Sequence, residues 1–281
     1  MIKKILISTL AVFLILLCQV GYVYKQATGV PGNSPVATLE VPKDPGKRIV
    51  VCMGDSITHG RVSYDYVNGL ASDTDLEKFS FVNAGINSRL AYNLLQKADE
   101  VIALKPDFIT ILIGTNDVKA SLSAEESERY IKLWRLSESP SKKLFVNSLR
   151  KLIMRLRSET NAKIALVSLP PLGEVLLSKP YLRSTEYSDE IRKIAEAERI
   201  LYLPLHEEMD AVLRSKGQSN IPEYRMDLPA MYVAIFLHYA MFQDWNSISD
   251  MRNLHFLTDN IHLNQRGGDI VQKLIKKFLL E

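Results

Sequence analysis

Five short apolar runs, most of them followed by a stretch of helical periodicity, constrain this chain more than any other feature. The runs cover residues 48–53, 79–83, 108–113, 163–168 and 200–204. They are rich in β-branched residues and apolar throughout, as strands buried on both faces must be. Helical patterns cover 88–104, 123–134, 140–159, 183–199 and 265–280. Strands alternating with helices imply a central parallel sheet of about five strands covered by helices, an α/β fold. In open sheets of that kind the reactive crevice lies beyond the carboxyl ends of the strands. The polar residues that follow the runs are therefore the ones to inspect for chemistry. There is no internal repeat and no low-complexity segment.

The length of 281 residues suits one large domain, or one domain with an appendage. A net charge of +3 with scattered basic residues gives no clustered face for nucleic acid. The pair Lys276–Lys277 reads as a solvated helix face. Cys18 and Cys52 lie in separate apolar runs, so neither a disulfide nor a metal site is expected of them.

The N-terminus has its own pattern. Lys3 and Lys4 precede an apolar stretch from Ile5 to about Tyr24. That length approaches the ~20 residues of a membrane-spanning helix. Small residues are scarce at its exit, which favours an uncleaved signal anchor in 1–25 over a cleaved signal peptide. Leu17 is bulky where a lipoprotein signal has a small residue, so lipid attachment at Cys18 is disfavoured. Positive charge stays inside, which would leave the rest of the chain outside the cytoplasm. Residues 26–47 are rich in Pro, Gly, Ser and Thr and read as a linker, with the folded domain at 48–281.

After the first run stands Gly54-Asp55-Ser56, after the second Asn83-Ala84-Gly85, and after the third Gly114-Thr115-Asn116-Asp117. A serine hydroxyl attacks only when a base removes its proton. Near the C-terminus the chain reads Asp259-Asn260-Ile261-His262. A spacing of three lets the carboxylate meet the imidazole, fix its tautomer and stabilise its cation. The backbone N–H groups of Ser56 and Gly85 and the amide of Asn116 are candidate donors to a developing oxyanion.

Taken together these blocks resemble the SGNH hydrolases, also called GDSL-type esterases. Gly54-Asp55-Ser56-Ile57-Thr58 carries isoleucine where leucine is common, and Ser88 stands where many members have glycine. The resemblance spans about Lys47 to Leu280. It implies a three-layer flavodoxin-like fold and a serine nucleophile, with no metal and no cofactor. It implies Ser56, Asp259 and His262 as triad, with Gly85 and Asn116 completing the oxyanion hole. Substrates in the family are esters or thioesters, from lysophospholipids to acetylated sugars.

The remaining polar residues have plainer readings. Asp55 and Asp117 read as helix caps or loop braces. His59, one turn beyond Ser56, is a candidate substrate contact, with a simple polar neighbour as the default. Arg89 reads as a surface ion-pair former, and His206, His238 and His255 as structural or surface residues. The stretch 228–245, rich in Met, Tyr, Phe and Leu, reads either as a helix flanking the catalytic mouth or as an ordinary core helix. An ester hydrolase leads. An acyltransferase on envelope polysaccharide would share the triad, and a binding module would not need it. A phosphate-binding loop ranks last, because both common glycine spacings are missing.

Overall fold

All five runs form strands in the computed structural model, which describes residues 2–225 and 229–281, with side chains from residue 14. They are β1 (Arg48–Gly54), β2 (Phe79–Gly85), β3 (Phe108–Leu112), β4 (Lys163–Val167) and β5 (Leu201–Leu203). Every pairing is parallel, in the order β2-β1-β3-β4-β5. This is the flavodoxin-like order, in which the chain reverses direction across the sheet between β1 and β3 and opens a crevice there. Gly54 at the end of β1 is level with Gly85 on one side and Leu112 on the other. Val50, Val51 and Cys52 are fully buried, as the continuous apolar run of a central strand requires.

Helices α1 (Ile2–Thr28) and α2 (Pro35–Leu39) precede the sheet. Helices α3 (Ser56–His59) and α4 (Tyr66–Ala71) follow β1, and α5 (Ala91–Gln96) and α6 (Ala98–Ile102) follow β2. Between β3 and β4 lie α7 (Thr115–Ala120), α8 (Ala124–Trp134) and α9 (Lys142–Glu159). Helix α10 (Lys179–Glu198) joins β4 to β5, and α11 (Leu205–Ser215), α12 (Pro229–Tyr239), α13 (Trp245–Met251) and α14 (Gln265–Leu280) complete the chain. Helix α9 packs on α5, α6 and α10, while α14 packs on α4, α11 and α13, so helices cover the sheet in two groups. On α14 the buried face is Val271, Leu274, Ile275 and Phe278, the spacing of one helical stripe.

Three segments differ from the sequence reading. The pattern at 88–104 divides into α5 and α6, because Lys97 leaves helical geometry at φ −105°, ψ 10°. Helix α10 starts at Lys179, with Pro180 in its first turn, where a missing N–H costs nothing. The supposed linker 26–47 is docked rather than free. Asn33 accepts from the backbone N–H of Asn83 (2.9 Å) and its amide donates to the carbonyl of Phe81 (3.1 Å), which covers the edge of β2.

Helix α1 continues unbroken through the stretch read as an anchor and as far as Thr28. Among the described residues no helix is long and apolar enough to cross a membrane. The apolar run begins at Ile5, and its first part lies outside the described side chains. The C-terminal part of α1 packs on α12, where Val23 and Ala27 meet Val62, Met231 and Ile235.

Candidate active site

Ser56 is the first residue of α3, at the carboxyl end of β1. Asp55 caps that helix, its side chain accepting from the N–H of Ile57 at 3.0 Å. Across the crevice, a tight loop brings in the histidine. Leu257 bridges to Leu263, and the N–H of Thr258 donates to the carbonyl of His262 at 2.8 Å. Within this loop Asp259 Oδ1 accepts the backbone N–H groups of Ile261 (3.0 Å) and His262 (2.8 Å). Its other oxygen lies 2.7 Å from His262 Nδ1, and His262 Nε2 lies 2.9 Å from Ser56 Oγ. The structure therefore brings together the three residues named from sequence. Burial pushes the Asp259 carboxyl up, but the adjacent His262 and these hydrogen bonds outweigh it and hold the group below its usual range.

Asn116 sits in the first turn of α7, after β3. Tyr130 donates to its Oδ1 at 2.5 Å, which turns Nδ2 toward the Arg89 carbonyl (3.0 Å) and Asp55 Oδ2 (3.4 Å). Gly114, just before it, has φ 136°, a conformation that side-chain-bearing residues avoid. Ser88 adopts φ 62°, so this serine takes up the left-handed geometry for which the family's glycine is suited.

Three expectations change. Gly85 approaches α3 so closely that an added Cβ would lie 2.2 Å from the His59 nitrogen, which explains the glycine. Its N–H, however, donates to Asn83 Oδ1 at 3.0 Å, so it does not face Ser56 as an open donor. His59 is buried and lines a neighbouring cavity with Gly85 and Val30, apart from the cleft that holds Ser56. Burial and Arg61 push its imidazole down to about 4, the state of a neutral packed histidine. Arg89 is buried rather than a surface ion-pair former, with its guanidinium over the Trp134 ring and one N–H on the Asn93 carbonyl at 3.4 Å. His206 bridges Thr185 and the Leu169 carbonyl, and His238 stacks on Trp245, both structural uses.

A cleft of about 640 Å³ contains Ser56, Asn116 and His262. That size is typical of small-molecule sites. Its walls are mostly apolar. Val20, Val23 and Ala27 come from α1, and Met231, Ile235 and Phe236 from α12. The stretch read as a flanking helix is therefore at the mouth, though its first residue, 228, lies outside the described residues. Phe242, in the same stretch, is 84% exposed and does not line the cleft.

Sequence reasoning missed Glu174, which lies in the connection from β4 to α10. It is buried, and its carboxylate accepts the N–H groups of His255 (2.6 Å), Phe256 (2.7 Å) and Leu257 (2.8 Å). It thereby fastens the strand of chain that leads into the Asp259/His262 loop. No local motif marks such a residue, because its partners are more than 80 positions away.

The buried acids behind the site give a pH signature. Burial, with Asp55 nearby, pushes the Asp117 carboxyl up to about 8, and burial pushes Asp55 to about 6. In the unfolded chain both titrate near ~3.9. The folded state thus binds more protons between those values, and stability contributed at low pH is lost as pH rises from ~4 toward 8. Asp259, with its lowered value, acts in the opposite sense and only at acid pH. Asp117→Asn keeps an acceptor for the N–H of Ala91 and removes the titration. Its melting temperature should fall less between pH 5 and pH 8 than that of the wild type. Parallel curves for the two proteins would refute the assignment.

A flavodoxin-like sheet with a serine, histidine and aspartate chain at its switch point defines a serine ester hydrolase. The chain belongs to the GDSL-like lipase/acylhydrolase family, whose pattern it matches over residues 52–270. It is similar in structure to an acetylxylan esterase from Geobacillus stearothermophilus (19% identity, TM-score 0.56, covering 83% of this chain and 94% of that one). It is also similar to the acetyl xylan esterase AlAXEase (19%, 0.58, 82% and 98%). A third similar structure is an alpha/beta hydrolase from the metagenome of Lake Arreo, Spain (17%, 0.57, 82% and 94%). At these identities the likeness is one of fold. No curated protein matches the chain in sequence.

Proposed function

We propose that this enzyme hydrolyses carboxylic esters with an apolar acyl part through an acyl-enzyme on Ser56. The observation that carries the proposal is the Ser56–His262–Asp259 chain, at 2.9 and 2.7 Å, opening into the apolar cleft. In this reading Ser56 Oγ bonds to the ester carbonyl carbon while its proton passes to His262 Nε2. The carbonyl oxygen gains the charge and is held by the Ser56 N–H and Asn116 Nδ2. Gly85 adds a third donor only when Asn83 Oδ1 releases its N–H. The alcohol leaves with the proton from His262, and water repeats the sequence in reverse. A fluorophosphonate should label the wild-type protein on Ser56, and hydrolysis of p-nitrophenyl esters should accompany it. A folded protein that neither labels nor hydrolyses would sink the proposal.

The wall composition favours an acyl chain over the acetyl sugars named for the structural neighbours. Phe236 lines the cleft and is half-buried. Removing the buried part of a phenylalanine is worth ~1–2 kcal/mol. Phe236→Ala should therefore lower kcat/KM on a p-nitrophenyl octanoate about tenfold relative to the acetate. Phe242→Ala, outside the cleft, should leave that ratio unchanged. Equal losses on both esters in Phe236→Ala, tracking a loss of stability, would make α12 a core helix and nothing more.

We also propose that the enzyme acts outside the cytoplasm, held at a membrane by its N-terminal segment. Lys3 and Lys4 before the apolar run support this. So do the exposed apolar side chains Leu14, Ile15 and Leu17 on α1. The full chain should stay with membranes through an alkaline carbonate wash and be cut by protease added outside spheroplasts. Release by the wash would contradict the proposal.

A further inference from the structure

One residue of the catalytic cleft has no part in the reaction described so far. Lys119 lies in α7, one helical turn beyond Asn116, and lines the same cleft as Ser56 and His262. Its residue exposure is 7%, yet its side chain makes no hydrogen bond or ion pair to any described residue, and only its backbone is used, the carbonyl accepting the N–H of Leu122. Burial lowers the affinity of this amine for its proton. Three carboxylates are near enough to act on it, and each has a use of its own. Glu126 holds Arg129 through both oxygens (2.9 to 3.3 Å), Asp259 is bonded to His262, and Asp55 caps α3. Arg129 also lines the cleft, beside Lys119. The Lys119 nitrogen opens on the cleft rather than being sealed in the core, and an ammonium in so apolar a setting gains from an anion that arrives to pair with it. Lys119 shares the cleft with the apolar side chains of α1 and α12.

We propose that Lys119 is an anion-binding subsite, and that the preferred substrate is an anionic amphiphile. Its ester would lie at Ser56, its hydrocarbon part along α1 and α12, and its phosphate or carboxylate on the Lys119 ammonium. This rests on the reading that the cleft takes the ester substrate, but its test needs no turnover.

The test is binding by the full-length Ser56→Ala protein, measured by calorimetry with n-octyl phosphate, uncharged octyl glycerol ether and inorganic phosphate. A charge-assisted hydrogen bond predicts octyl phosphate binding at least about tenfold more tightly than the uncharged ether. Adding Lys119→Met should erase the difference, and Lys119→Arg should keep most of it. Equal affinity for the two octyl compounds overturns the proposal without any need for a Lys119 variant. So does an undiminished phosphate preference in a folded Lys119→Met protein. Inorganic phosphate binding as tightly as octyl phosphate would replace the amphiphile with a free anion and also overturn it. An inert wild-type enzyme would remove the hydrolase reading while leaving these binding results to stand or fall separately.

Discussion

Ser56→Ala is expected to lower kcat on an activated ester by about 10⁶-fold, to the residual rate left by binding and the oxyanion donors alone. His262→Ala should cost a similar factor, and the double variant little more, because the two groups act as one unit: His262 Nε2 is 2.9 Å from Ser56 Oγ. Asn116→Ala belongs to the same experiment with a smaller expected loss, about 10²–10³ in kcat, since it removes one donor and leaves the nucleophile intact. Tyr130 holds Asn116 through Oδ1, while Nδ2 rests on the Arg89 carbonyl and, at 3.4 Å, on Asp55, so the long contact to Asp55 is the one given up when charge develops. The order of these losses is the informative result. An Asn116 effect as large as that of Ser56 would mean that the substitution collapses the loop after β3. Multiplicative losses for Ser56 and His262 would mean that they do not share a proton.

The second large effect concerns stability. Glu174→Ala leaves three N–H groups, the buried ones of residues 256 and 257 and the part-buried one of residue 255, without an acceptor. At ~1–3 kcal/mol for each unsatisfied group, the total is several kcal/mol. That is a large share of the ~5–15 kcal/mol that holds a typical domain together. Glu174→Gln keeps one carbonyl oxygen, and Oε1 is the atom that serves both Phe256 and Leu257, so the glutamine variant should fall between wild type and alanine. Urea unfolding gives the ranking, and the rate of fluorophosphonate labelling reports whether the histidine loop still meets Ser56. An alanine variant within ~1 kcal/mol of wild type would show that the loop is held by other means, among them the Gly173 N–H on the Asn260 carbonyl at 2.9 Å.

How far the sequence was legible depends on the range of the forces involved. The five strands were readable because a strand buried on both faces must be apolar at every position, and nothing distant changes that requirement. The meeting of Ser56, His262 and Asp259 was readable because Asp259 and His262 are three residues apart and Ser56 follows a strand. The break at Lys97 was not, since 88–104 carries a helical period straight across it. The status of Gly85 was not, since its N–H faces a choice between a ligand and Asn83 Oδ1 that only three-dimensional geometry decides. Glu174 and Lys119 were invisible for the same reason. A carboxylate in a loop and a lysine on a helix are ordinarily solvated, and only the tertiary packing buries them.

The path of α1 carries a consequence for how this protein can change. Asn87, directly after the second sequence block, donates to the carbonyl of Ala27 at 3.1 Å, so the end of α1 is tied to the catalytic loops. An apolar leader normally answers to one demand, greasiness, and drifts freely among sequences that meet it. Val20, Val23 and Ala27 answer to a second demand, because they are also walls of the cleft that holds Ser56 and His262. If the cleft takes the ester as proposed, exchanging this segment for another of equal hydropathy would alter which molecules the enzyme turns over.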